Sequence, residues 1–100
     1  MRVISKRTLI NFWKGFPQYA DACEPLEAWY REVKPEHWTS PTDVKAKYRS
    51  ASILQGGRVI FNIAGNKYRL VVKINYPTEI IYIRFVGTHK QYDKIDPETI

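Results

Sequence analysis

A chain of 100 residues with 44% hydrophobic and 14% aromatic content has room for one core, so residues 1–100 are read as a single domain. Sixteen Lys and Arg against ten Asp and Glu leave a net charge of +6, which favours an anionic partner without specifying any chemistry. The lone cysteine, Cys23, excludes an internal disulfide and reads as a buried structural thiol, and there is no Cys/His spacing for zinc, no HExxH and no glycine-rich phosphate loop, so neither metal nor cofactor is expected.

No signal-peptide pattern and no run of about 18 apolar residues is found, so the expected compartment is the cytoplasm and no membrane contact is expected. Met1 to Ile4 can add an edge strand. Ser5 then caps a helix whose Leu9, Phe12, Trp13 and Phe16 recur at the spacing of one helical face, a pattern that assigns these aromatics to the core. Leu26, Trp29, Tyr30 and Val33 repeat the pattern in a second helix opening near Pro25 and ending before Pro35. Trp38 reads as packing beneath the loop that follows. His37, in a proline-flanked loop with no polar constellation around it, is given no role.

Ser40-Pro41-Thr42-Asp43 carries the start signature of a third helix: a capping hydroxyl, Pro at the first position and an acid at the third. Behind it, Lys45 and Lys47 either extend a basic surface or are ordinary solvated residues. Ser50 to Gly57 reads as a flexible connection.

Three strands follow, over Arg58–Ile63, Lys67–Tyr76 and Glu79–Val86. Gly65-Asn66 suits the first hairpin turn and Pro77-Thr78 the second. Two-residue loops set Asn62 opposite Arg69, Lys73 opposite Tyr82, Val71 opposite Arg84 and Lys67 opposite Thr88. Side chains alternate between faces, so these pairings sort the sheet. Val59, Phe61, Ile63, Tyr68, Leu70, Val72, Ile74, Ile81, Ile83 and Phe85 form an apolar wall. Arg58, Asn62, Lys67, Arg69, Lys73, Tyr82, Arg84 and Thr88 share the other face with Ile60, Val71 and Val86. A half-solvated antiparallel sheet is polar on its wet side in any case, but such faces ordinarily mix signs. This one holds no carboxylate, and from Val44 to Thr78 there are seven Lys or Arg and no Asp or Glu. That asymmetry points to a nucleic-acid or other polyanion surface.

Thr88 followed by Gln91 is a capping-box spacing, which starts a short helix where the last strand ends. His89 and Tyr92, three apart, then project from one side of it, next to the basic face. They are the residues with the clearest proton-transfer potential, since imidazole titrates near neutral pH.

The blocks KAKYRSAS from Lys45, RVIFNIAGNKYRLVV from Arg58 and YIRFVGTHKQYDKID from Tyr82, with Ala28-Trp29-Tyr30-Arg31-Glu32-Val33-Lys34 in the second helix, resemble the HigB toxins of bacterial type II toxin-antitoxin systems. The resemblance covers nearly the whole chain. It implies an α+β fold of RelE-like type: N-terminal helices packed on one face of a small antiparallel sheet, a short C-terminal helix, and a basic concave surface on the other face. It also implies an mRNA endonuclease acting on translating ribosomes, silenced by a HigA-type antitoxin with a helix-turn-helix domain. Mapped onto the matching blocks, the implied catalytic set is Lys67, Arg69, Arg84, His89 and Tyr92, with Asn66 in the turn. Lys45, Lys47, Arg58, Asn62, Asn66 and Lys73 are the expected RNA contacts.

The chemistry that suits this set is metal-free attack of the RNA 2′-hydroxyl on its own phosphorus, which needs a base, an acid and fixed positive charge. Lys67 can serve as base only if neighbouring cations depress its pKa by several units. The alternative is a noncatalytic basic binding module, or a toxin of the same fold directed at a protein such as DNA gyrase, because fold alone does not fix function.

Overall fold

The computed structural model describes all 100 residues and builds one five-stranded sheet with helices laid against one face. Strand β1 (Arg2–Ile4) leads into helix α1 (Lys6–Gly15), a 3-10 turn over Pro17–Ala22, helix α2 (Cys23–Val33) and helix α3 (Pro41–Lys47). Strands β2 (Ser52–Ile53), β3 (Arg58–Ile63), β4 (Tyr68–Asn75) and β5 (Ile80–Thr88) follow, and a single-turn helix α4 (His89–Tyr92) closes the series. The order across the sheet is β1-β5-β4-β3-β2. The expected antiparallel pairing holds for β3, β4 and β5, and the edge strand β1 runs parallel to β5, which α1 and α2 make possible by separating them in sequence.

Apolar periodicity accounts for the packing. Leu9 and Trp13 of α1 and Leu26, Trp29 and Val33 of α2 are buried against Val59, Phe61, Ile63, Tyr68, Leu70, Val72 and Ile74. Trp38 sits in this core, stacked near Phe61. Two residues depart from the helical reading: Phe12 is half-buried and Phe16, one residue beyond α1, is 58% exposed. Pro17 explains the second, because the residue before a proline is pushed out of the helical region, and Phe16 is indeed extended at φ −143°. Cys23 is half-buried rather than buried. The segment read as a flexible connection contains β2, which pairs with Val59 and Ile60. Ser5 and Ser40 occupy the N-cap positions but neither hydroxyl bonds the helix; Asp43 instead accepts from the Thr39 N–H and hydroxyl at 2.9 and 3.0 Å.

The hairpin registers hold at Asn62↔Arg69 and Lys73↔Tyr82. Both turns are four residues long, with Ala64 and Gly65 at φ 55° and 67°. Beyond Val72 the second register breaks. Val72 faces Ile83 and Val71 faces Phe85, so Arg84 is an extra residue in a β-bulge. The face assignments therefore change past Arg84. Phe85, expected in the apolar wall, lies opposite Val71 on the other face. Val86 and Thr88, expected on the basic face, lie opposite Leu70 and Tyr68, and Val86 packs on the core.

The sheet face away from the helices is not fully open. Ile60 and Val71 are 4% and 0% exposed, yet neither belongs to the main core cluster. They lie on that opposite face, where α4 packs against β4 and β5 and the chain returns as far as Ile100, whose carbonyl is gripped by Arg58 Nε and Nη2 at 3.1 and 2.9 Å.

Candidate functional site

Position in the site begins with the capping box at the end of β5. Thr88 Oγ1 accepts from the Gln91 N–H at 3.2 Å and Gln91 Oε1 accepts from the Thr88 N–H at 2.9 Å, which fixes the direction in which α4 leaves the sheet. The other end of the Gln91 amide donates to the Tyr19 hydroxyl at 3.1 Å, tying this one-turn helix to the helical layer. Four residues are too few to hold a helix by propagation, so these side-chain bonds carry its geometry. Gly87 belongs to the same device. A Cβ there would stand 2.6 Å from Gln91 Oε1 and 2.6 Å from Phe85 Cζ, so any side chain would break the cap or displace the ring.

Of the residues that α4 delivers, Tyr92 meets a cation of the sheet. Arg69 stacks its guanidinium 5.3 Å from the centre of the Tyr92 ring, and Phe85, turned to this face by the bulge, sits 6.5 Å from the same ring. Arg84, exposed, lies 5.6 Å over the Tyr82 ring. No carboxylate pairs with Arg69, Lys73 or Arg84. Three polar atoms of this face are buried with no hydrogen-bond partner: Arg69 Nε, His89 Nε2 and Asn62 Oδ1, the last from the residue directly opposite Arg69. Buried polar groups are nearly always paired. The unpaired guanidinium and ammonium groups of Arg69, Lys73 and Arg84 are the part of this arrangement suited to an anionic ligand.

Other residues proposed from sequence are engaged elsewhere. Lys67 forms an ion pair and hydrogen bond with Asp21, at the tip of the first hairpin, and the Asp21 carboxylate holds the ammonium pKa above its ordinary value. A lysine so held is protonated at neutral pH, the opposite of what a base requires. Lys45 Nζ folds back to the carbonyls of Arg49 and Ala51 at 2.7 and 2.8 Å, and Lys47 pairs with Glu36 at 3.3 Å. Both lie on α3 beside Val44; Ser50, between the two residues that hold Lys45, accepts from Asn62 Nδ2 at 3.4 Å. Arg58 lies on that face but spends its guanidinium on Ile100. Asn66 is an exposed turn residue. His37, given no role from sequence, is exposed and pairs with Glu79 at 2.7 Å.

Asp21, Tyr19 and Phe85 were not legible as site-building residues. Asp21 is the only acid in the first 23 residues, a signal that it had a specific cation to meet. Its carboxylate also accepts from the Tyr68 hydroxyl, and these bonds lower its pKa below the usual carboxylate range, Lys67 contributing most and Tyr68 next. Because the folded pKa is depressed, the contact stabilises above the unfolded value of 3.8 and is lost as pH falls through the folded one. Asp21→Asn is expected to lower the melting temperature at neutral pH, with the gap to wild type closing in acid; a gap of constant size from pH 7 to pH 2 would show that the charge does not matter.

Residues 22–95 match the family model described as HigB_toxin, the RelE-like toxic component of a toxin-antitoxin system. The chain is 27% identical over 95 residues to the mRNA interferase toxin HigB of Escherichia coli strain K12, an alignment covering 93% of this chain and 88% of the relative. The same identity and coverage are found with proteins named mRNA interferase HigB from Escherichia coli O157:H7 and Shigella flexneri.

Proposed function

This chain belongs to the HigB family of RelE-like toxins, and from that premise we propose that it is an endoribonuclease that cleaves mRNA on translating ribosomes by 2′-hydroxyl transesterification. The observation that supports the reading is the junction of α4 with the sheet, where the capped turn that carries His89 and Tyr92 stacks Tyr92 on Arg69, and neither Arg69 nor Arg84 is paired with a carboxylate. A noncatalytic anion-binding face has use for the cations but not for an imidazole and a phenol delivered by a dedicated capped turn.

In the proposed reaction the 2′-oxygen attacks the adjacent phosphorus and the bond to the 5′-oxygen breaks. The upstream fragment ends in a 2′,3′-cyclic phosphate and the downstream fragment in a 5′-hydroxyl. Arg69 and Arg84 hold the non-bridging oxygens, whose charge grows in the transition state; guanidinium stays charged and can grip two oxygens at once. His89 and Tyr92 share the two proton transfers, one from the 2′-hydroxyl and one to the leaving oxygen. Lys67, held protonated by Asp21, takes no part as a base. The set supplies charge, base and acid from side chains alone, so the proposed step is metal-independent. Lys73, with no carboxylate partner, and Asn62 extend the contact along the RNA.

The proposed partner is a HigA-type antitoxin with a helix-turn-helix domain, and the proposed compartment is the cytoplasm, where the ribosomes are. Purified protein added to a translating extract should produce mRNA ends bearing 5′-hydroxyls, mapped by ligation-dependent sequencing, and cells expressing it without antitoxin should stop protein synthesis. Ends bearing 5′-phosphate would refute transesterification. Continued protein synthesis with disturbed DNA supercoiling would replace the ribonuclease reading with a gyrase-directed one.

A further inference from the structure

One surface groove lies beside the proposed catalytic set. A groove of about 370 Å³ lies between the end of α1 and β5, walled by Phe12, Phe16, Tyr19, Phe85, Val86 and Gln91. Phe16, the chain's one large hydrophobic side chain left mostly exposed, stands on its rim. The groove also borders an open strand edge. β1 ends at Ile4, opposite Tyr82, so from Ile83 onward β5 has a strand partner on one side only. Such an edge presents N–H and C=O groups to any extended chain laid beside it.

Charge narrows the occupant. No Asp or Glu lines the groove or adjoins a lining residue in sequence, whereas Lys14, Arg84 and Lys90 all do adjoin one and all are exposed. An apolar trough, an unpaired strand edge and exposed cations next to the lining residues in sequence together fit an extended peptide of alternating apolar and acidic residues. The trough is too small for a folded domain and suits a few side chains.

We propose that this groove receives such a segment of the antitoxin, which pairs with the outer edge of β5, sets apolar side chains against Phe16 and Phe12, and places carboxylates on Lys14, Arg84 and Lys90. The proposal rests on the toxin reading, which supplies an antitoxin but not its seat. Arg84, in the proposed site, immediately precedes the groove residue Phe85, and Gln91 both walls the groove and holds α4. A segment seated here takes Arg84 from the RNA without covering the whole basic face.

The test uses the full chain co-expressed with its antitoxin and two substitutions outside the proposed machinery. Phe16→Asp removes the apolar rim; Gly15→Glu adds a like charge where a Cβ meets nothing within 4 Å. Each should weaken antitoxin binding by about tenfold or more, the scale of losing an interface anchor, while free variant chains cleave mRNA at the wild-type rate and melt normally. Phe16→Leu and Gly15→Lys should retain binding. Wild-type affinity in both Phe16→Asp and Gly15→Glu would overturn the proposal, as would a wild-type dimer in sedimentation that Phe16→Asp dissolves with antitoxin binding intact, which would assign the groove to a second copy of this chain. A wild-type chain that arrests no growth and binds no antitoxin would instead overturn the toxin reading beneath it.

Discussion

Replacing Arg84 by Ala is expected to cut the mRNA cleavage rate about a hundredfold or more, the scale of about 3 kcal/mol for losing one preorganised electrostatic contact to a transition state. Arg84 is the cleaner of the two arginines to test. It is exposed and touches little besides the Tyr82 ring, so its removal leaves the fold alone. Arg69, by contrast, stacks on Tyr92, and Arg69→Ala would disturb a second site residue along with the charge. Arg84→Lys should recover only part of the rate, because an ammonium keeps the charge and loses the two-oxygen grip. Single-turnover cleavage of ribosome-bound mRNA measures both. Equal rates for wild type and Arg84→Ala would remove Arg84 from the phosphate site, and full rescue by Lys would reduce its role to a point charge.

Tyr92→Phe and His89→Gln should instead slow cleavage while leaving RNA affinity close to wild type, since they take away proton donors or acceptors and no fixed charge. Tyr92→Phe is the sharper probe. It retains the ring on which Arg69 stacks and from which Phe85 stands 6.5 Å, and deletes only the hydroxyl. General acid–base groups contribute on the order of 10²- to 10⁴-fold, so losses within that range are expected when rate and affinity are measured separately on the same RNA. Full activity of both variants would move proton transfer off α4 altogether, and a parallel loss of affinity would recast the two residues as binding groups.

The amino-acid pattern by itself determined the layers. Period-3.6 apolar residues in the first half and period-2 residues in the second leave one arrangement that buries Leu9, Trp13, Leu26, Trp29 and Val33 against Phe61, Leu70 and Val72. It also determined the cap at Thr88 and Gln91, because a capping box is a contact between residues three apart, and the registers at Asn62↔Arg69 and Lys73↔Tyr82, because hairpin pairing is counted from the turn.

Where pairing depends on distant chain, counting fails. The bulge at Arg84 has no local mark, yet it alone turns Phe85 toward Tyr92 and sends Val86 into the core. The parallel pairing of β1 depended on how α1 and α2 pack. Lysines are the plainest case. In sequence, Lys45, Lys47 and Lys67 are positive charges near a basic run; in the fold they belong to Arg49 and Ala51, to Glu36 and to Asp21. A charge in a sequence has a sign and no partner. Which cations remain free for an anionic ligand is decided by which carboxylates and carbonyls the tertiary structure brings within about 4 Å, where Coulomb attraction and hydrogen bonding act together, and among the cations of the sheet's basic face that left Arg69, Lys73 and Arg84.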